Sequence, residues 1–179
     1  AKNSGAEAVL VWSDSAALNA RLINARAEAN WNAPIVGHPA LGSGAIKPLL
    51  TKPGNWNAVY NIGYKQTSFD AAGKLPEETS KFLAAVVSKK VRVDDTTLWW
   101  IAAGYDAVQL IRRGYEGAGS SKPEDVKRAL ESLRAFGGAY GRYTYTAANH
   151  NGYDVSDIVM NRADSFKDGA YTLAPGYGQ

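Results

Sequence analysis

Ala8-Val9-Leu10-Val11-Trp12-Ser13-Asp14-Ser15, running on into Ala16-Ala17-Leu18-Asn19-Ala20-Arg21-Leu22, is the stretch that decides the fold. Its first five residues are apolar with no polar alternation, the pattern of a parallel strand buried on both faces. Ser13-Asp14-Ser15 then offers the side-chain oxygens that cap a helix N-terminus. Beyond them Ala17, Leu18, Leu22, Ala25 and Ala29 recur at helical spacing, which predicts a helix over 16–29 with Arg21 and Glu28 on other faces. Ala33-Pro34-Ile35-Val36-Gly37 is a second short strand. Strand, helix and strand within about thirty residues form a βαβ unit, so the fold class is α/β with a parallel sheet.

Outward from this unit, the segment 38–54 is rich in Gly and Pro and holds at most a short helix around 46–50. Residues 58–62 read as a third strand, and 63–75 as a polar, irregular crossover. Pro76 suits the first turn of a helix running to about Lys90. Thr96-Thr97 opens a longer helix through Trp99, Trp100, Ala103, Val108 and Ile111 to Tyr115; its apolar residues surround most of the helix, which predicts deep burial, with Tyr105 in the core. Ser121, Pro123 and Glu124 read as a capping box that starts a helix ending at Gly137-Gly138. The tail alternates as strands over 141–145 and 156–162. The turn between them carries His150, which reads as structural, and Lys167-Asp168-Gly169-Ala170 is a hairpin turn before a last strand at 171–173.

Composition removes several classes of function. The chain has 179 residues, 45% of them hydrophobic and 21% charged, with a net charge of +3 and no cysteine. Disulfides, thiolate chemistry and cysteine metal sites are therefore excluded. The basic residues are dispersed in pairs such as Lys89-Lys90 and Arg112-Arg113, without the stripe that nucleic-acid binding requires. No apolar run approaches the length of a membrane span. Gly117-Ala118-Gly119-Ser120-Ser121-Lys122 has the wrong spacing for a phosphate loop and follows a helix where a strand is needed. The two histidines, His38 and His150, have no nucleophile elbow and no clustered carboxylates, so neither a catalytic triad nor a metal site is indicated. Asp94-Asp95 and Glu77-Glu78 read as helix-start charges. No cofactor is implied.

The order of segments resembles the second half of the type I periplasmic solute-binding proteins of ABC transporters, the group serving branched-chain amino acids and aromatic acids. Four stretches carry the resemblance: 5–12, 33–37, Trp100-Ile101-Ala102-Ala103-Gly104-Tyr105-Asp106-Ala107-Val108, and Pro123-Glu124-Asp125-Val126-Lys127-Arg128-Ala129-Leu130. The ending Asn149-His150-Asn151-Gly152, with Lys167-Asp168-Gly169, is similar to that of aromatic-acid-binding members. The resemblance implies Rossmann-like three-layer lobes around a cleft, here incomplete, with the N-terminal half absent. Residues 1–62 would form lobe two, 63–120 the crossover and lobe-one helices, and 121–179 a return helix and the C-terminal strands of lobe two. It implies a periplasmic, or lipid-anchored extracellular, solute-binding component and not an enzyme. The ligand would be a small organic acid, and the partners a membrane ABC permease and either the missing half or a second copy. A ligand-sensing regulatory domain of the same fold is the alternative.

Ligands of open α/β sheets lie beyond the carboxyl ends of the strands. The candidate ligand-binding residues are therefore Trp12, Ser13, Asp14 and Ser15 after the first strand, and His38, Pro39 and Leu41 after the second. Ser13 and Asp14 could equally serve only as helix caps, and His38 only as a structural residue. Asn61 and Tyr64 lie near the expected crossover, where Tyr64 either closes over a ligand or packs within the crossover.

Overall fold

The computed structural model describes residues 2–93 and 97–177. Its strands are β1 (Val9–Val11), β2 (Ile35–Gly37), β3 (Val59–Tyr64), β4 (Ser68–Phe69), β5 (Phe136–Gly137), β6 (Arg142–Tyr143), β7 (Ile158–Arg162) and β8 (Tyr171–Thr172). Its α-helices are α1 (Ala16–Glu28), α2 (Glu77–Ser88), α3 (Leu98–Ala118) and α4 (Pro123–Glu131). The opening βαβ unit forms as its pattern requires. β1 pairs in parallel with β2, Val11 opposite Gly37, and β2 pairs in parallel with β3, Gly37 opposite Asn61. β7 completes the four-stranded order β1-β2-β3-β7.

By its contacts the chain divides into two compact units. The first holds the described residues of 2–63, 68–74 and 159–177. On one face of its sheet Ala20 and Ile23 of α1 pack with Ile35, Val59, Leu41, Ile46, Trp56 and Ala163 into a buried cluster. Leu10, whose side chain alternates to the opposite face, is 77% exposed. The last turn of α1 is tied down by Arg26, whose buried guanidinium donates to the carbonyls of Asn55 and Asn57 at 2.7 Å, Ala33 at 3.2 Å and Ala58 at 3.4 Å. Four carbonyl acceptors take the place of a carboxylate, and burial lowers the pKa of this group. The segment 38–56 winds as three short 3-10 turns, Pro39–Gly42, Gly44–Leu49 and Pro53–Trp56, where the sequence led to at most one short helix around 46–50. The expected turn before the last strand is present: Lys167 and Ala170 exchange both backbone hydrogen bonds at 2.9 Å across Asp168 and Gly169, whose φ angles are 49° and 82°.

The second unit comprises the described residues of 64–67 and 75–158. The resemblance groups residues 121–179 with the lobe of residues 1–62, whereas here those up to 158 fall in the unit that contains α3. Two contacts cause this. Gly114 lets Val126 and Leu130 of α4 approach until a Cβ would lie 3.1 Å from each. The Asp106 carboxylate, fully buried, accepts hydrogen bonds from the Ala139 and Tyr140 amides at 2.8 Å and from the Tyr143 hydroxyl at 2.9 Å. Thr79 of α2 donates to the Ala139 carbonyl at 3.0 Å, so one loop joins two helices. Burial, then the neighbouring Asp106 charge, pushes the Tyr143 phenol up from its usual pKa.

Several local expectations are corrected. α4 ends at Glu131, not near residue 136, because Ala135 takes a positive φ of 49° and Phe136-Gly137 turn into a strand paired with β6. Its N-cap is Lys122, with no side-chain cap bond, so the capping box at Ser121 does not form. Pro76 is the N-cap of α2 and not a residue of its first turn. α3 is not buried all round: Leu98, Ala102, Asp106 and Gly114 are buried, while Trp100, Val108, Ile111 and Tyr115 are exposed. Tyr105 is not core either; it is half-exposed and its ring meets Phe82 at 4.9 Å. Asp94, Asp95 and Thr96 lie outside the described residues.

Replacing Asp106 by Ala strands three buried donors, so urea unfolding should show a loss of at least about 3 kcal/mol, against about 1.5–3 kcal/mol for Tyr143→Phe, which removes one charge-assisted bond. A loss below about 1 kcal/mol for Asp106→Ala would show that this carboxylate does not organise the unit.

Candidate functional site

At the carboxyl ends of β1 and β2 the His38 amide donates to the Val11 carbonyl at 3.0 Å. Gly37 makes this approach possible. A Cβ there would lie 1.8 Å from the Val11 oxygen, and its φ of +150° disfavours any side chain. The bond sets the His38 ring beside Trp12, edge to face, with centroids 5.2 Å apart and planes at 89°. His38 Nδ1 accepts from the Ala40 amide at 3.1 Å, closing the 3-10 turn that Pro39 begins. With that lone pair engaged, the neutral ring carries its proton on Nε2.

Across from His38, the turn between β1 and α1 is organised by its own side chains. Ser15 is the N-cap of α1, its Oγ accepting from the Leu18 amide at 3.3 Å. Ser13 Oγ accepts from the Ser15 amide at 3.2 Å, and the Ser13 carbonyl accepts from Asn19 Nδ2 at 3.2 Å. Asp14 is exposed, and so is the Trp12 indole, at 71%. The turn that caps a thirteen-residue helix thus follows directly on the indole that the His38 ring touches. Such an arrangement favours an anionic group near the helix end and an apolar body near the ring.

The structure brings the Trp12 and His38 rings into contact, with Ser13, Asp14 and Ser15 in the turn that follows Trp12 and Pro39 next to His38, and leaves three expected site residues elsewhere. Leu41 does not line a wall: it is fully buried in the core below the sheet end, and its carbonyl accepts from Trp56 Nε1 at 3.0 Å. Asn61 points to the same buried face as Val59 and is 1% exposed. Tyr64 belongs to the second unit, where its ring meets Tyr140 at 4.4 Å, Trp99 at 5.7 Å and Tyr153 at 6.2 Å. Burial and these neighbouring phenols push the Tyr140 hydroxyl well above its usual pKa. His150 holds the Glu131 carboxylate at 2.9 Å, a contact from its turn to α4. Sequence reasoning missed Asn19, which holds the Ser13 carbonyl; nothing in a helix-interior Asn distinguishes it until the fold places it under that turn.

The family model for periplasmic binding proteins matches residues 1–165. No curated protein matches the sequence. Among solved structures, the chain is similar to a type 1 periplasmic binding protein from Bordetella pertussis Tohama I, with TM-score 0.73 and 18% identity over 97% of this chain and 47% of that one. It is similar to the branched-chain amino acid substrate-binding protein LivJ of Streptococcus pneumoniae, solved with isoleucine, at TM-score 0.66 and 19% identity, covering 96% and 46%. It is also similar to an ABC transporter solute-binding protein of R. palustris solved with benzoate, at TM-score 0.63 and 17% identity, covering 96% and 43%. The chain therefore spans less than half the length of each of these proteins.

Leu41 and His38, three residues apart, should separate cleanly in a stability measurement. Leu41→Ala opens a cavity in the core and should lower the unfolding free energy by about 2–5 kcal/mol. His38→Ala, at a half-exposed strand end, should cost less than about 1.5 kcal/mol. Equal losses in thermal or urea unfolding would show that His38 is a structural residue.

Proposed function

The chain belongs to the periplasmic binding protein family, and we propose that the protein it forms captures a small organic acid at the β1–β2 strand ends for delivery to a membrane permease of the ABC type. The family is one of solute-binding proteins and not of enzymes, and its members are periplasmic or extracellular. Among the described residues no helix is long and apolar enough to cross a membrane. One observation carries the reading: the His38 ring, its Nδ1 held by the Ala40 amide, stands edge to face with the exposed Trp12 indole at the carboxyl ends of β1 and β2, and Trp12 leads directly into the Ser13–Ser15 turn that caps α1.

In this reading the first unit supplies one wall of the binding cleft, and the remainder of the protein or a second copy supplies the other. A small-molecule site normally buries most of its ligand between walls. The ligand is a branched-chain amino acid or an aromatic acid; similar folds have been solved with isoleucine and with benzoate. The protein acts in the periplasm or as a lipid-anchored extracellular receptor.

Calorimetry on the full-length gene product against amino acids and aromatic acids tests this. At least one should bind, and His38→Ala should weaken it by about 1.5–3 kcal/mol, the range for a hydrogen bond to a charged group. Absence of binding across both classes would remove the solute-binding reading, whereas unchanged affinity in His38→Ala would remove only this site.

A further inference from the structure

The geometry points to a second binding site in the first unit, at the amino ends of β2 and β3, that takes a neutral saccharide; it is independent of the strand ends around His38. The sequence Asn-Trp-Asn-Ala occurs twice, at 30–33 and 55–58, and each copy leads into a strand, β2 at Ile35 and β3 at Val59. Arg26 holds the two copies together. Its guanidinium donates to the Ala33 carbonyl of one and to the Asn55, Asn57 and Ala58 carbonyls of the other. The Trp31 amide in turn donates to the Arg26 carbonyl at 3.1 Å. The two tryptophans have different fates. Trp56 is buried and its Nε1–H goes to the Leu41 carbonyl, whereas Trp31 is half-buried and lines a cavity of about 480 Å³ with Arg26, Asn30, Asn32, Asn55 and Asn57. That volume falls within the range of small-molecule sites. Ala58, on the same cavity, has a φ of 55°, a left-handed conformation that an alanine keeps only where its surroundings hold it there.

The polar groups of this cavity define the class of ligand. Among the described residues no hydrogen bond engages the side-chain amides of Asn30, Asn32 and Asn57 or the Trp31 indole N–H. Asn55 donates from Nδ2 to Asn24 at 3.1 Å and to Thr51 at 2.9 Å, and its Oδ1 stays open to a donor. An amide donates and accepts without carrying charge, and so does a hydroxyl, so the matching ligand is rich in hydroxyls. Charge of either sign is disfavoured. No acidic residue lines the cavity, so a cation would meet only the positive Arg26. An anion would find the terminal N–H groups of Arg26 already engaged by four carbonyls, beside the C-terminal end of α1, which repels negative charge. The face of an indole carries the negative part of its quadrupole and accepts the C–H face of a pyranose. The open amides come from two separate segments, which suits hydroxyls spread around a sugar ring better than the coplanar edge of a nucleobase.

The test is calorimetry on the full-length gene product with D-glucose, D-galactose, D-mannose and N-acetyl-D-glucosamine, and with adenosine and uridine as flat-edged controls. At least one sugar should bind with a Kd of about 1 mM or tighter, and neither nucleoside should. Trp31→Ala and, separately, Asn57→Ala should each weaken that sugar about tenfold or more. Asn57 is exposed, so its variant keeps the fold and decides the matter should Trp31→Ala not fold. Silence of all four sugars would overturn the inference. A sugar that binds equally well to both folded variants sits elsewhere, and would overturn the site. Nucleosides that bind where the sugars do not, and are lost in Asn57→Ala, would overturn the saccharide class.

Discussion

The hydrogen bond between the His38 amide and the Val11 carbonyl is the constraint on which the strand-end surface depends. It forms only because position 37 has no side chain. A methyl group there would occupy the space of the Val11 oxygen and force β1 and β2 apart at their carboxyl ends. From that contact the rest follows locally. The His38 ring stands against Trp12, the 3-10 turn after Pro39 uses the ring's Nδ1 as its acceptor, and Nε2 is left as a donor. The orientation and the tautomer of this ring are thus both set by contacts of the chain itself.

The second unit is organised by a different device with the same logic. Asp106 sits on the buried side of α3 and gathers two amides and a phenol from the loop after α4. A buried carboxylate is costly unless its lone pairs are met, and here three donors meet them. The result is that the loop bearing Ala139, Tyr140 and Tyr143 is pinned to α3, and the aromatic cluster of Tyr64, Trp99, Tyr140 and Tyr153 has a fixed member to pack on. The opposite side of α3 carries Trp100, Val108, Ile111 and Tyr115 in the open.

The opening βαβ unit was legible because its signals are local and redundant. Unbroken apolar runs, a Ser-rich cap and helical spacing agree over residues 8–37, and the observed β1, α1 and β2 fall inside those bounds. The capping box at Ser121 shows the limit of such signals. The residue types were right, yet the helix begins at Pro123 with Lys122 as its cap, because Ser120 and not Ser121 makes the turn, accepting from the Lys122 amide. Leu41 shows another limit: spacing places a residue near a strand end but does not say whether the chain folds it outward or under the sheet.

The sequence by itself determined the α/β class, the parallel strands and the set of polar residues that follow them, since these depend on periodicity and on residues within one turn of each other. Tertiary structure alone decided which of those residues share a surface. Trp12 and His38 are distant in sequence and meet only when β1 and β2 pair in register, while Asn61 and Leu41 turn to the face that α1 covers. It also decided that residues 121–158 pack with α3, because the contacts responsible, Asp106 with the Ala139 to Tyr143 loop and Gly114 with Val126 and Leu130, join residues too far apart in the chain for any local pattern to register.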